Sequence, residues 1–287
     1  MAIDLDSLLA AKTRRRLDWT EADAVIYAHG IGLATDPLDA VELAYVQDES
    51  PAIFPTFPVS LALTGGPLAG AGLDMRQVLH GAHMLTLHGP MPSTGSAEMR
   101  GAMIGVWDKG LEKGAVFVEE KRLTLDPGGT PLATIVTTVF GRAEGGCGAP
   151  RTGQPAPHPL PFRTPDAIVD MVTRADQALL YRLSGDRNPI HSDPVAAGRA
   201  GFPRPILHGL CSFAICARAV TDNFANRQAG RLRHIEARFS GPVYPGETIQ
   251  MKLWQDDATI SFEAGVRARN ALVITAGKAL IASETWL

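Results

Sequence analysis

Between Leu210 and Phe224 the chain is apolar around almost its whole circumference. Leu210, Phe213, Ala214, Ala217, Val220 and Phe224 recur at helical spacing, and Ile215, Cys216 and Ala219 fill the remaining faces. A helix with so little solvated surface has to be enclosed on every side. The enclosure follows directly. Ile235-Ala237-Phe239, Ile249-Met251-Leu253, Ile260-Phe262 and Leu272 to Ser283 are four strand-like segments, with turns at Tyr244-Pro245-Gly246-Glu247 and Asp256-Asp257. This pattern predicts an α+β fold in which strands wrap one buried helix.

The first half repeats the plan more weakly. Its apolar stretch, Pro55 to Gly70, is interrupted by Gly65-Gly66-Pro67, which shortens or breaks the helix there. Strand-like runs follow at Ala102 to Val106, Ala115 to Leu125 and Leu132 to Phe140, with a turn at Asp126-Pro127-Gly128-Gly129. Thr20-Glu21-Ala22-Asp23 and its tyrosine Tyr27 parallel Thr173-Arg174-Ala175-Asp176 and Tyr181. Superposing the tyrosines sets Gly32 opposite Asp186, so the first copy lacks that acid. Residues 144–165 are dense in proline and glycine and read as a linker. The expected organisation is a module over 1–143, the linker, and a second module over 166–287. His158 is expected to be an exposed loop residue.

Composition excludes several classes of function. With 27 basic and 30 acidic residues the net charge is −3, which does not suit a nucleic-acid-binding surface. No apolar run approaches about 18 residues, and residues 1–19 lack the order of a signal peptide, so no membrane association is expected. Arg14-Arg15-Arg16 is expected on a solvated helix face. Cys147, Cys211 and Cys216 form no CxxC pair and suit a reducing, cytoplasmic setting. The final Glu284-Thr285-Trp286-Leu287 is not a peroxisomal Ser-Lys-Leu address.

Chemistry concentrates in Tyr181 to Leu210. Asp186, Asn188 and His191 fall within six residues, and Pro189 disfavours a helix there, so their side chains should project from a bend. His208-Gly209 then opens the buried helix, whose first amides have no intrahelical acceptor and can receive an oxygen bearing negative charge. A carboxylate, an imidazole and such amides are the parts for proton transfer beside a polarised carbonyl. Either Asp186 or His191 alone would serve as a loop brace; the combination favours catalysis. His208 is expected to brace the turn. Ser184 and Ser192 stand in no nucleophile elbow. His80, His83 and His88 suggest a metal, but a regular strand would place His83 on the face opposite His80 and His88, so no metal site is assigned.

Ser184-Gly185-Asp186-Arg187-Asn188-Pro189-Ile190-His191, followed by Pro205-Ile206-Leu207-His208-Gly209-Leu210, resembles the signature of the MaoC-like, or type 2, (R)-specific enoyl-CoA hydratases. The first half is similar to the amino-terminal half of two-module members at Tyr27-Ala28-His29-Gly30-Ile31-Gly32, Pro55-Thr56-Phe57, Leu79-His80-Gly81 and Asp108-Lys109-Gly110. The resemblance implies a double hot-dog fold and a homodimer. It also implies hydration of trans-2-enoyl-CoA to the (R)-3-hydroxyacyl-CoA, with acyl-CoA as substrate and no cofactor. By motif position Asp186 and His191 hold the water, Asn188 positions substrate and Gly209 supplies an oxyanion amide. Where larger eukaryotic members carry a functional glutamate, this chain has Val46. A hot-dog thioesterase and a non-catalytic acyl-CoA-binding module are the alternatives.

Overall fold

In the computed structural model, which describes residues 3–73 and 77–286, ten antiparallel strands form one continuous sheet. They are β1 (Lys12–Trp19), β2 (Val78–Leu87), β3 (Gly95–Asp108), β4 (Ala115–Asp126), β5 (Pro131–Gly141), β6 (Ala167–Val172), β7 (Leu232–Phe239), β8 (Thr248–Asp256), β9 (Thr259–Val266) and β10 (Ala271–Ile281). Their order is β1-β3-β4-β5-β2-β7-β10-β9-β8-β6. Read outward from the central β2–β7 pair, each half has the same sequence of strands, so the repeat seen in the residues is also a repeat of topology. Alternation accounts for the strand faces: Ile249, Met251 and Leu253 are fully buried while Lys252 between them is exposed. The edge strand β6 falls next to the linker and was not expected.

The helix Gly209–Phe224 lies inside the second half of the sheet. Cys211, Phe213, Ala214, Cys216, Ala217, Ala219 and Val220 are wholly inaccessible. Its mid-helix cation, Arg218, is mostly covered and engaged by protein oxygens. The guanidinium donates to the carbonyls of Ile31 (2.9 Å) and Gly32 (2.8 Å) and pairs with Glu42 at 2.8 Å. Those carbonyls lie just beyond the helix Glu21–Gly30, where acceptors are otherwise left open. Gln177, from the short helix Gln177–Tyr181, donates to Gly30 O at 2.6 Å. The two tyrosines of the sequence repeat, Tyr27 and Tyr181, pack with ring centroids 6.0 Å apart. Gly32, opposite Asp186 in the repeat, takes a left-handed backbone (φ +83°) against Arg218.

In the first half the corresponding helix runs only Phe57–Leu61, and the chain resumes as a 3₁₀ turn at Pro67–Gly70. Lys121 reaches the unwound carbonyls of Ala62 (2.8 Å) and Leu63 (3.4 Å). Its buried partner Glu119 lies 2.7 Å away and accepts from Leu68 N. A Cβ on Gly66 would fall 2.3 Å from Glu119 Oε2 and 2.4 Å from Lys121 Cε. Gly66→Ala should therefore cost about 1–3 kcal/mol in overpacking. Urea unfolding is the measurement, and an unchanged midpoint would mean that the ion pair yields without loss.

Two local expectations are corrected. Arg14, Arg15 and Arg16 lie on β1, not on a helix, because pairing with β3 (Arg14 with Arg100, Arg16 with Glu98) organises them. Charge on an edge strand also discourages pairing with another chain. Arg14 pairs with Glu98, and Arg16 with Asp18 and Asp126. His158 is not simply solvated, since its Nε2 meets Ser261 Oγ at 2.8 Å. The terminal Leu287 and the first two residues of the lead-in lie outside the described residues. Residues 144–165 carry no helix or strand. Among the described residues no helix is long and apolar enough to cross a membrane.

Candidate active site

The bend opens where Gly185, at φ +121°, turns the chain out of the 3₁₀ turn Arg182–Ser184. Two side chains then fold back on the backbone. Asp186 Oδ1 accepts from Asn188 N at 3.1 Å, and Asn188 Oδ1 accepts from Ile190 N at 3.2 Å. This caps the 3₁₀ turn Pro189–His191 and leaves Asn188 at the surface. His191 is buried. Its Nδ1 donates to Ile206 O at 2.8 Å, while Ile206 N donates to Ile190 O at 3.2 Å, so the two motifs are laced together. With Nδ1 engaged, Nε2 is the ring position left for chemistry.

His208 completes the cluster. Its ring stacks on His191 with centroids 3.7 Å apart, and its Nε2 donates to the Asp186 carbonyl at 3.1 Å. Ligand atoms of Asp186, His191 and His208 all lie within 4.8 Å of one another. A carboxylate and two imidazoles at such spacing invite a metal, but the geometry does not fit one. Stacked rings hold their lone pairs in near-parallel planes, and His208 Nε2 is already committed to a carbonyl. The described residues instead make an acid beside an imidazole, with a second imidazole bracing both.

Electrostatics follow from burial. Loss of water pushes His191 below the ordinary imidazole value, partly opposed by the Ile206 carbonyl and the Asp186 charge. His208 is pushed down to about 3, first by burial and then by His191. Both rings are therefore neutral near pH 7.

Directly after His208 the long helix begins. Ser212 N bonding to His208 O is its first i to i−4 bond, so the amides of Gly209, Leu210 and Cys211 precede the ladder. A Cβ on Gly209 would lie 3.3 Å from the Phe239 ring, which fills the space a side chain would need. The structure thus brings Asp186 and His191 together with His208, the residue that precedes the helix start at Gly209, while Asn188 is exposed on the bend.

The sequence-based placement of His80 and His83 on opposite faces is overturned. On β2 His80 is opposite Val139 and Ala82 opposite Thr138, so Gly81 is an extra, bulged residue. The bulge turns both rings to the inner face, where His83 Nδ1 and His80 Nε2 are 3.3 Å apart. His88 goes elsewhere, to Thr134 Oγ1 at 2.8 Å. The His80 ring lies 4.7 Å from that of Phe239, and hence one aromatic ring away from Gly209. A glycine inside a strand pattern was the available signal.

Two copies of one five-stranded topology, with an acid–imidazole bend just before a buried helix, define a double hot-dog protein of the hydro-lyase type. The chain belongs to the MaoC-like hydratase family: residues 158–276 match the MaoC like domain, and residues 17–143 the MFE-2 hydratase 2 N-terminal domain. It is 38% identical to enoyl-CoA hydratase ChsH3 of Mycobacterium tuberculosis, over 98% of this chain and 99% of that one. It is 39% identical to 3-hydroxyacyl-thioester dehydratase Y of the same organism, over 90% of this chain and 89% of that one. Among solved structures, a MaoC-like dehydratase from Phytophthora capsici superposes with a TM-score of 0.86 at 29% identity. That match covers 98% of this chain and 99% of the other.

Proposed function

We propose that the protein catalyses reversible hydration of trans-2-enoyl-CoA to (R)-3-hydroxyacyl-CoA. The observation that carries this reading is the clustering of the Asp186 carboxylate with the His191 and His208 rings, His208 being the residue directly before the unladdered helix amides that start at Gly209. Water adds slowly to an unsaturated thioester because negative charge must build on the thioester oxygen as the new bond forms at C3. A fixed donor near that oxygen lowers the barrier, often by about 3 kcal/mol, and the Gly209 amide, which precedes the helical ladder, is the donor assigned here. His191, neutral near pH 7, takes a proton from the water while Asp186 orients that water and stabilises the ring as it charges. The proton delivered to C2 comes from the same pair. Asn188 contributes by holding the bend and by meeting substrate at the surface. No cofactor is required by this chemistry, because the thioester itself activates the alkene.

The first half lacks an acid at Gly32 and carries a broken helix, so it serves to house the acyl tail. The active unit is a homodimer in a reducing, cytoplasmic compartment, consistent with three unpaired cysteines, two of them buried in the core.

The test follows enoyl-thioester absorbance with crotonyl-CoA and longer substrates, with chiral analysis of the product. Loss of absorbance with an (R)-alcohol formed is the expected result. Release of free thiol would instead indicate a thioesterase, and no change at all an acyl-CoA-binding module. The pH dependence is also fixed in sign. Protonated His191 cannot accept the proton, so kcat/KM should fall on the acid side at a pH below the ordinary imidazole value of 6.5. An acid limb above that value would count against His191 as the base.

A further inference from the structure

The inner face of the first half carries a polar row where a wholly hydrocarbon tunnel would have apolar side chains. His83 on β2 is opposite Thr137 on β5, and Thr137 is opposite Glu119 on β4. Three inward side chains thus lie side by side across three strands, under the place where the first-half helix is unwound. Two of them are satisfied within the protein. Glu119 has Lys121 and Leu68 N, and the Thr137 hydroxyl approaches His83 Nδ1 at 3.5 Å.

His83 is not. It is 4% exposed, its ring packs edge-on to Phe213 in the first turns of the central helix, and its Nε2 is buried with no partner among the described residues. The proton positions around it follow from its neighbours. His83 Nδ1 lies between two groups able to accept, His80 Nε2 at 3.3 Å and the Thr137 hydroxyl oxygen at 3.5 Å, and one proton on Nδ1 serves both. With Nδ1 donating, the neutral ring keeps its Nε2 as a bare lone pair. A buried acceptor of this kind calls for a donor, and its neutral ring beside an internally balanced Lys121–Glu119 pair favours an uncharged one.

We propose that His83 Nε2 is a specificity subsite that accepts a hydrogen bond from a hydroxyl on the acyl group of the thioester. The inference rests on the reading that this site takes acyl thioesters; it adds that the preferred acyl group is a hydroxylated one rather than a plain alkyl chain. His83 touches the acyl group and takes no part in the proton transfers at Asp186 and His191.

Calorimetric titration of the intact chain with saturated acyl-CoAs of one length tests this. One ligand is plain, and the others carry a single hydroxyl or a single oxo group at successive carbons beyond the reacting pair. At one position the hydroxylated ligand should bind about tenfold or more tighter than the plain one. His83→Leu should abolish that preference, and His83→Gln, which keeps an acceptor, should retain much of it. Melting temperatures of both variants are recorded alongside, and His83→Met replaces the leucine variant if the latter unfolds. Equal affinities for plain and hydroxylated ligands, a preference that survives in His83→Leu, stronger binding of the oxo ligand, or no binding of any acyl-CoA would each overturn the assignment. Turnover of crotonyl-CoA is followed separately. A hydroxyl preference without turnover would remove the hydratase reading and keep the subsite, whereas turnover without the preference would do the reverse.

Discussion

Asp186→Asn should lower kcat/KM for enoyl-CoA hydration by about 10²- to 10⁴-fold while leaving the melting temperature nearly unchanged. The amide oxygen of asparagine can still accept from Asn188 N, so the bend keeps the hydrogen bond that Asp186 Oδ1 makes now. What disappears is the negative charge that steadies His191 as it takes a proton. A residue whose work was only to brace the loop would show the opposite pattern, with stability lost and activity kept. His191→Ala should cost activity by a similar factor, and some stability as well, because the Ile206 carbonyl loses its donor. Since the two groups act on one water, the double variant should be scarcely slower than either single one. Wild-type rates in either single variant would dispose of the assigned roles.

Acid should weaken the fold from an unusually high pH. Burial lowers His80 to about 4 and His208 to about 3, and it holds His83 well below the ordinary value. In the unfolded chain each of these rings binds its proton near 6.5. Between that value and the folded one, the unfolded state carries more protons, so stability falls as pH falls. Each such ring contributes about 1.4 kcal/mol per pH unit across its window. Urea unfolding at a series of pH values from neutral downward should show the decline beginning near 6.5, well above the carboxylate range. Constant stability down to pH 5 would mean that these imidazoles are protonated inside the fold.

Much of this was readable in the residues, and the reasons are physical. The central helix announced itself because apolar residues on all its faces leave no alternative to enclosure, and the wrapping strands because Ile249, Met251 and Leu253 alternate with polar neighbours. The broken helix of the first half was visible in Gly65-Gly66-Pro67. Asp186, His191 and Gly209 stood out because one short bend and one helix start place them close in sequence to the backbone features that orient them. What escaped was whatever depended on register or on distant strands. One bulged residue at Gly81 reversed the side on which His80 lies relative to His83. The Glu119–Lys121 pair, inside the strand-like run Ala115 to Leu125, gave no sign in the sequence of the unwound turn it meets across the fold. Arg14 to Arg16 carried no periodicity of their own, so only pairing with β3 could decide their state.

The meeting of β2 and β7 has a consequence for how such a chain could arise or be cut. Five residue pairs, from Ala82 with Arg238 to Thr86 with His234, fasten the halves along one ladder. A fragment beginning after the linker would contain every residue assigned to the chemistry, yet it would present the bare amides and carbonyls of β7 to solvent. Such a piece could persist only by docking against a sibling through that same flank. The acid-free half is in this sense a tethered mate, fused in place of a second copy and thereby released to specialise.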